Sequence, residues 1–71
     1  MFIKLTNFAN NYLGDPLYLN VDWIVSVYPT IRDGGSQITT IYGGPVGSTW
    51  YVEEGLEQVV KKIKEARSND Q

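Results

Sequence analysis

Apolar and polar side chains alternate along most of this chain, and only its last quarter changes to a helical period. Phe2-Ile3-Lys4-Leu5-Thr6 alternates from Ile3 onward, which predicts a half-buried first strand. A turn-rich connection follows over residues 7–16, with Asn10-Asn11 and Gly14-Asp15-Pro16 as its turn signals. Leu17-Tyr18-Leu19 predicts a short second strand. At Asn20-Val21-Asp22-Trp23 the alternation breaks, and Asn20 is placed to cap a single helical turn by accepting an orphan backbone N–H. A third strand is expected over residues 24–28, with Pro29 ending it or lying at a sheet edge.

Arg32-Asp33-Gly34-Gly35-Ser36 is a hairpin signal, because paired glycines accept the positive φ angles of tight turns. Residues 37–42 form a fourth strand rich in β-branched side chains. Gly43-Gly44-Pro45 and Gly47 interrupt the pattern before a fifth strand over 48–52, and the interruption reads equally as a loop or as a bulge or sharp bend. Leu56, Val59, Val60 and Ile63 then recur at helical spacing, with Ala66 nearby, so a helix is expected over about 55–67. Glu53, Glu54 and Glu57 lie at its N-terminal end and Lys61, Lys62, Lys64 and Arg67 towards its C-terminal end, an order that suits the helix dipole, with Glu65 interleaved among the bases. Glu57 and Lys61 add an i,i+4 pair. Residues 68–71 are a polar tail, and residues 1–67 form one domain. The pattern predicts a mainly β fold with one helix. Its five antiparallel strands form a strongly bent sheet or small barrel, and the helix lays Leu56, Val59, Val60 and Ile63 over one opening or face.

Size sharpens this picture. A chain of 71 residues without cysteine or histidine has neither disulfides nor thiolate or imidazole metal sites to stabilise it. Good packing or self-association remains, so a homo-oligomer is expected, and no cofactor. The net charge of −2 disfavours a life on phosphate contacts. No signal peptide or membrane span is evident, and the cytoplasm is the expected location.

The candidate chemistry is sparse. Asp15, Asp22 and Asp33 each stand among turn residues, where aspartate bonds its own backbone. Without histidine a Ser-His-Asp triad cannot form, and neither glycine cluster fits a phosphate-binding loop. No catalytic or metal-ligating residue is therefore assigned. Aromatics make up 13% of the chain, with Tyr12, Tyr18, Trp23, Tyr28, Tyr42, Trp50 and Tyr51 in or beside strands. Most are expected to fill the core. Trp50 and Tyr51 must point to opposite faces of one strand, so at most one of them can join a given core. Trp50, Tyr51, Tyr42 and Trp23 are the candidate interface residues.

Several segments resemble the FlbD family, small proteins encoded with bacterial flagellar genes. They are the opening Ile3-Lys4-Leu5-Thr6, then Leu19-Asn20 with Asp22, Ile24 and Val27, the strand-then-glycine stretch over 38–43, and Val52-Glu53-Glu54 with Glu57, Val59, Val60 and Ile63. Gly55 stands near where that family usually has serine, and extra residues occur around 7–14 and 43–47. The resemblance implies a motility accessory role exerted through protein contacts, and no site residue is carried over from it. Similar small sheets with one helix occur among phage proteins. A looser, fold-level likeness is to the Sm-like and SH3-like small barrels. Sm-like proteins form RNA-binding rings but place their helix before the strands, and their glycine–asparagine signatures are missing here. The function expected is a non-catalytic protein–protein interaction or assembly module, self-associating through a strand edge or aromatic surface. An RNA-binding ring is the alternative, and a small hydrolase comes third.

Overall fold

The computed structural model describes residues 1–8 and 14–68; Asn10-Asn11, Tyr12 and the last residues of the tail lie outside the described residues. β1 (Phe2–Thr6) pairs antiparallel with β2 (Pro16–Asn20), with Ile3 opposite Leu19 and Leu5 opposite Leu17. These are the apolar positions of each alternation, so the register places one apolar face on the core. β3 (Ile24–Ile31), β4 (Gln37–Gly43) and β5 (Ser48–Val52) form an antiparallel sheet in that order. A single helix, α1 (Leu56–Ser68), closes the chain.

The five strands and the terminal helix match the pattern, but the strands are divided between two sheets instead of one bent sheet or closed barrel. Among the described residues the sheets are joined by one antiparallel bridge, Asn7 to Val52, and no ladder runs from β2 to β3. The division has a local cause. The Asn20 side chain accepts from Asp22 N–H at 3.0 Å and folds Val21–Trp23 into a 3-10 turn, which carries the chain out of the first sheet before β3 begins.

β3 runs three residues past its expected end because Pro29 pairs opposite Thr39 within an edge strand, as proline can when its nitrogen faces away from the ladder. Near its start, Ile24 lies opposite Gly43 and Ser26 opposite Tyr42, so Val25 is the extra residue of a bulge. The bulge lets both Ile24 and Val27 pack on the core and leaves Val25 72% exposed. It also brings the Trp23 carbonyl so close to Gly43 that a β-carbon there would collide with it. The neighbouring Gly44 N–H donates to that carbonyl at 2.8 Å.

The two glycines of the β3–β4 hairpin take φ of +84° and +83°. Arg32 N–H meets the Ser36 carbonyl across this hairpin at 2.7 Å. The Arg32 guanidinium lies 5.2 Å from the centre of the Phe8 ring, tying the hairpin to the chain leaving β1. The glycine-rich break after β4 is a hairpin turn over 44–47, leading straight into β5.

The core gathers Leu5, Val21, Ile41 and Val52 from the strands and turn beneath Val59, Ile63 and Ala66 of the helix. Leu56 and Val60 are only half-buried, which corrects the expected helix face. At about 100° per residue, Val60 stands roughly 90° round from the middle of the Val59–Ile63–Ala66 stripe. The helix packs on β1, β3 and the 3-10 turn. Lys62 Nζ donates to the Lys4 carbonyl at 2.9 Å and Arg67 Nη2 to the Val21 carbonyl at 3.3 Å, so basic side chains secure the helix to β1 and to the 3-10 turn.

Candidate interaction site

Two open sheets leave strand edges, and each edge is treated differently. In a strand the N–H and C=O of one residue point to the same side, alternating along the chain. Val21 N–H reaches the Met1 carbonyl at 3.0 Å and Asn7 N–H reaches the Asp15 carbonyl at 2.8 Å. Met1, Ile3, Leu5 and Asn7 therefore face β2, while Phe2, Lys4 and Thr6 face outward. That outward edge of β1 is capped at Thr6 and at the Lys4 carbonyl. Glu54 accepts from both Thr6 N–H and Thr6 Oγ1 at 2.9 Å, Glu53 N–H donates to the Thr6 carbonyl at 2.9 Å, and Lys62 takes the Lys4 carbonyl. Phe8 N–H donates to the Tyr51 carbonyl at 2.9 Å, so the outer edge of β5 is partly taken as well.

Partial burial pushes the Glu54 carboxyl up. The Thr6 backbone N–H, its own backbone N–H, the Thr6 hydroxyl and the Lys62 charge outweigh that effect and hold it below the usual carboxylate range. The carboxylate is thus a fixed acceptor for a strand edge.

On β3, the Arg32–Ser36 bond turns Arg32, Thr30, Tyr28 and Ser26 towards β4, leaving Val27, Pro29 and Ile31 on the free edge. Proline removes the central donor of that edge, and the Val25 bulge ends it. β2 has neither device. Leu17, Leu19 and Val21 face β1, so Tyr18 N–H and C=O, Asn20 N–H and the Pro16 carbonyl point away from the ladder. None of these has a backbone partner among the described residues. No charged residue lies on β2.

Beside this edge runs a groove of about 250 Å³, walled by Phe2, Tyr18, Trp23 and Trp50 and floored by Leu17, Leu19 and Ile24. No acidic or basic side chain lines it. Phe2 is 64%, Tyr18 58% and Trp23 56% exposed, a concentration of open aromatic surface unusual for a small sheet. Its volume falls below the ~300–1,000 Å³ typical of small-molecule pockets and suits one or two apolar side chains of a docked segment.

The candidate interface residues divide between two surfaces. Trp23 and Trp50 line the groove, Trp50 being half-buried against Ile41, its partner across β4–β5. Tyr42 and Tyr51 lie with Tyr28 on the opposite face of the three-stranded sheet, around Thr40, which is 1% exposed and bonds Thr30 through the hydroxyls at 2.7 Å. Phe2 and Tyr18, which lie outside the expected interface set, also line the groove. Their signal is the alternation itself, which sends Phe2 and Tyr18 away from the Ile3–Leu5 and Leu17–Leu19 faces. Asp15, Asp22 and Asp33 stand at three separate turns. Among the described residues no three acidic side chains gather to hold a metal ion, and no helix is long and apolar enough to cross a membrane.

The class defined by fold and site is a small two-sheet protein, closed by one helix, with an unguarded, aromatic-walled strand edge. Comparison with protein-family models, with curated proteins and with solved structures finds no match to this chain.

Proposed function

We propose that the protein is a non-catalytic interaction or assembly module that takes an extended polypeptide segment along β2 and seats an apolar side chain in the aromatic groove. The observation that carries this is the contrast among edges: β1 is capped by side chains, β3 is blunted by Pro29 and Val25, and β2 presents Tyr18 N–H and C=O beside the groove. An added strand supplies main-chain hydrogen bonds for affinity, and the groove supplies selectivity, as in other strand-addition complexes. The uncharged lining favours a neutral, apolar protein segment over RNA, which would call for basic residues around the stacking rings. The cytoplasm suits such a protein, which has no disulfide to lose to reduction. We read the two sheets as halves of an opened small barrel, linked through the 3-10 turn on one side and the Asn7–Val52 bridge on the other. From the FlbD resemblance we take an accessory role exerted by protein contacts.

The test is selection of displayed random peptides against the immobilised protein, with Tyr18→Pro as the counter-target. Tyr18 N–H faces away from β1, so proline there removes the docking donor and spares the β1 ladder. Enriched apolar peptides that lose binding to Tyr18→Pro support the reading. An empty selection, or peptides indifferent to the substitution, would sink it.

A further inference from the structure

The outward groups of β2 match their own image. We propose that the segment docking on this edge is β2 of a second copy, the strands running antiparallel around a two-fold axis at Tyr18; this rests on the edge-docking reading above and gives it an occupant. With the axis at Tyr18, each copy's Tyr18 exchanges N–H···O=C bonds with the other's, as residues directly opposite in a hydrogen-bonded pair do. The next outward pair sets Asn20 of one copy opposite Pro16 of the other. Asn20 N–H then donates to the Pro16 carbonyl, and the missing proline N–H falls at the end of the ladder, where a strand loses least. A one-residue slip would set inward-facing groups against outward-facing ones and lose both sets of bonds.

The same register joins the side chains. Directly opposed residues share a face, so Tyr18 packs against Tyr18 on the outer face, and Leu17 of each copy lies beside Leu19 of the other on the core face. The apolar floor of one groove thereby continues into the next. No charge on β2 meets its own image, the usual obstacle to edge pairing in native sheets. The exposed fractions of Phe2, Tyr18 and Trp23 amount to roughly 350 Å² per copy, taking about 200 Å² as the full area of each aromatic. Doubled by symmetry to roughly 700 Å², and joined by half-buried Leu17 and the paired backbone, this stays below the ~1,200–2,000 Å² of stable interfaces. The dimer is therefore one that dissociates on dilution. It is isologous and closes on itself, because each copy spends the same β2 edge on the other.

The experiment is solution mass by light scattering over a hundredfold concentration range, for the parent, Tyr18→Pro and Ile31→Pro. The parent is expected to pass from monomer to dimer and no further. Tyr18→Pro is expected to stay monomeric with an unchanged circular dichroism spectrum, and Ile31→Pro, on the outward edge of β3, to dimerise like the parent. Because the chain has no cysteine, single-cysteine variants report the axis even if Tyr18→Pro folds poorly. Tyr18→Cys should oxidise to a covalent dimer at least tenfold faster than Val25→Cys, since Cα atoms about 5.5 Å apart accept a disulfide. A monomeric parent at every concentration, a dimer that survives Tyr18→Pro, or equal oxidation of the two cysteine variants would each overturn the two-fold. The broader edge-docking reading falls only if the peptide selection also comes back empty or yields peptides indifferent to Tyr18→Pro.

Discussion

β2 and β3 leave the same 3-10 turn in opposite directions, both are edge strands, and both carry proline, yet one edge is closed and the other open. In β3 the proline sits mid-strand on the outward side, at Pro29, and a bulge at Val25 twists away the other end of the edge. In β2 the proline is the first residue, Pro16, and the outward positions that follow are Tyr18 and Asn20, both able to donate. A difference of a few positions in the placement of one residue type thus separates an edge whose donor row is broken from one whose outward donors are intact. β1 shows a third solution: α1 and the residues leading into it spend Glu54 and Lys62 on the groups that Thr6 and Lys4 would otherwise expose. A mid-edge proline, a bulge and covering side chains each blunt an edge here, whereas β2 has its proline only at its first residue and, among the described residues, neither bulge nor cover.

The most forceful way to break this contrast is to lift the helix that caps β1. Val59→Asp places an unpaired charge at a fully buried position and is expected to cost several kcal/mol in denaturant unfolding. Val60→Asp, on the half-buried flank, is expected to cost less than half as much. Equal losses would mean that the helix is rotated from the stripe described here. With α1 displaced, Thr6 and Lys4 regain a bare edge, so aggregation of Val59→Asp in mid-denaturant should exceed that of the parent.

A smaller lesion acts on the bulge. Gly43→Ala drives a β-carbon into the Trp23 carbonyl. It is expected to cost about 1–3 kcal/mol, the usual range for overpacking. Because the strain falls on the turn that feeds both β2 and β3, hydrogen exchange should quicken at Gly44, whose N–H bonds that carbonyl, before it quickens in β4.

How far the fold could be read in advance follows from the range over which each signal acts. The strands, the capping role of Asn20, the Gly34-Gly35 hairpin and the helix come from local spacing and turn chemistry, and the structure contains all of them. The split into two sheets was not legible, because it depends on how far the 3-10 turn rotates the chain, and no residue type encodes that angle. The expected helix face is too wide by Leu56 and Val60 for a similar reason. Leu56, Val59, Val60 and Ile63 are all apolar, and only the location of β1 and β3 decides which of them is covered. The candidate site is half legible: Trp23 and Trp50 stand out as aromatics. The importance of Phe2 and Tyr18 depends on which side of β2 is left without a neighbour, and that is a property of strand order.

Glu54 tests the cap on β1 with a change on the order of 1 kcal/mol, the net worth of a charge-assisted bond at a part-buried site. Its carboxyl is held below its ordinary range in the folded protein. The stabilisation is therefore present above the unfolded carboxylate pKa and is lost as pH falls through the folded value. Urea midpoints of the parent should decline on acidification through that window. Those of Glu54→Gln should start lower at neutral pH and decline less, so that the two curves converge in acid. Parallel curves would remove Glu54 from the account of the edge.

The mildest change is the one that converts the closed edge into a copy of the open one. Pro29→Thr restores a donor at the centre of the β3 edge without touching the β4 ladder, because residue 29 faces outward. Losing proline frees the unfolded chain, and gaining a β-branched residue favours the strand, so the net change in stability is expected to stay within about 0.5–1 kcal/mol. The informative readout is association. Val25 still bulges at one end of the edge, and Arg32 is still drawn to Phe8 at the other. An added strand therefore finds only the stretch between them, flanked by exposed Ile31, and self-association should rise detectably only at high concentration. If Pro29→Thr assembles into species larger than a dimer at the concentrations where the parent does not, proline alone had been closing β3. If it behaves as the parent does, the bulge is sufficient, and the openness of β2 owes more to its unbroken backbone than to the position of its proline.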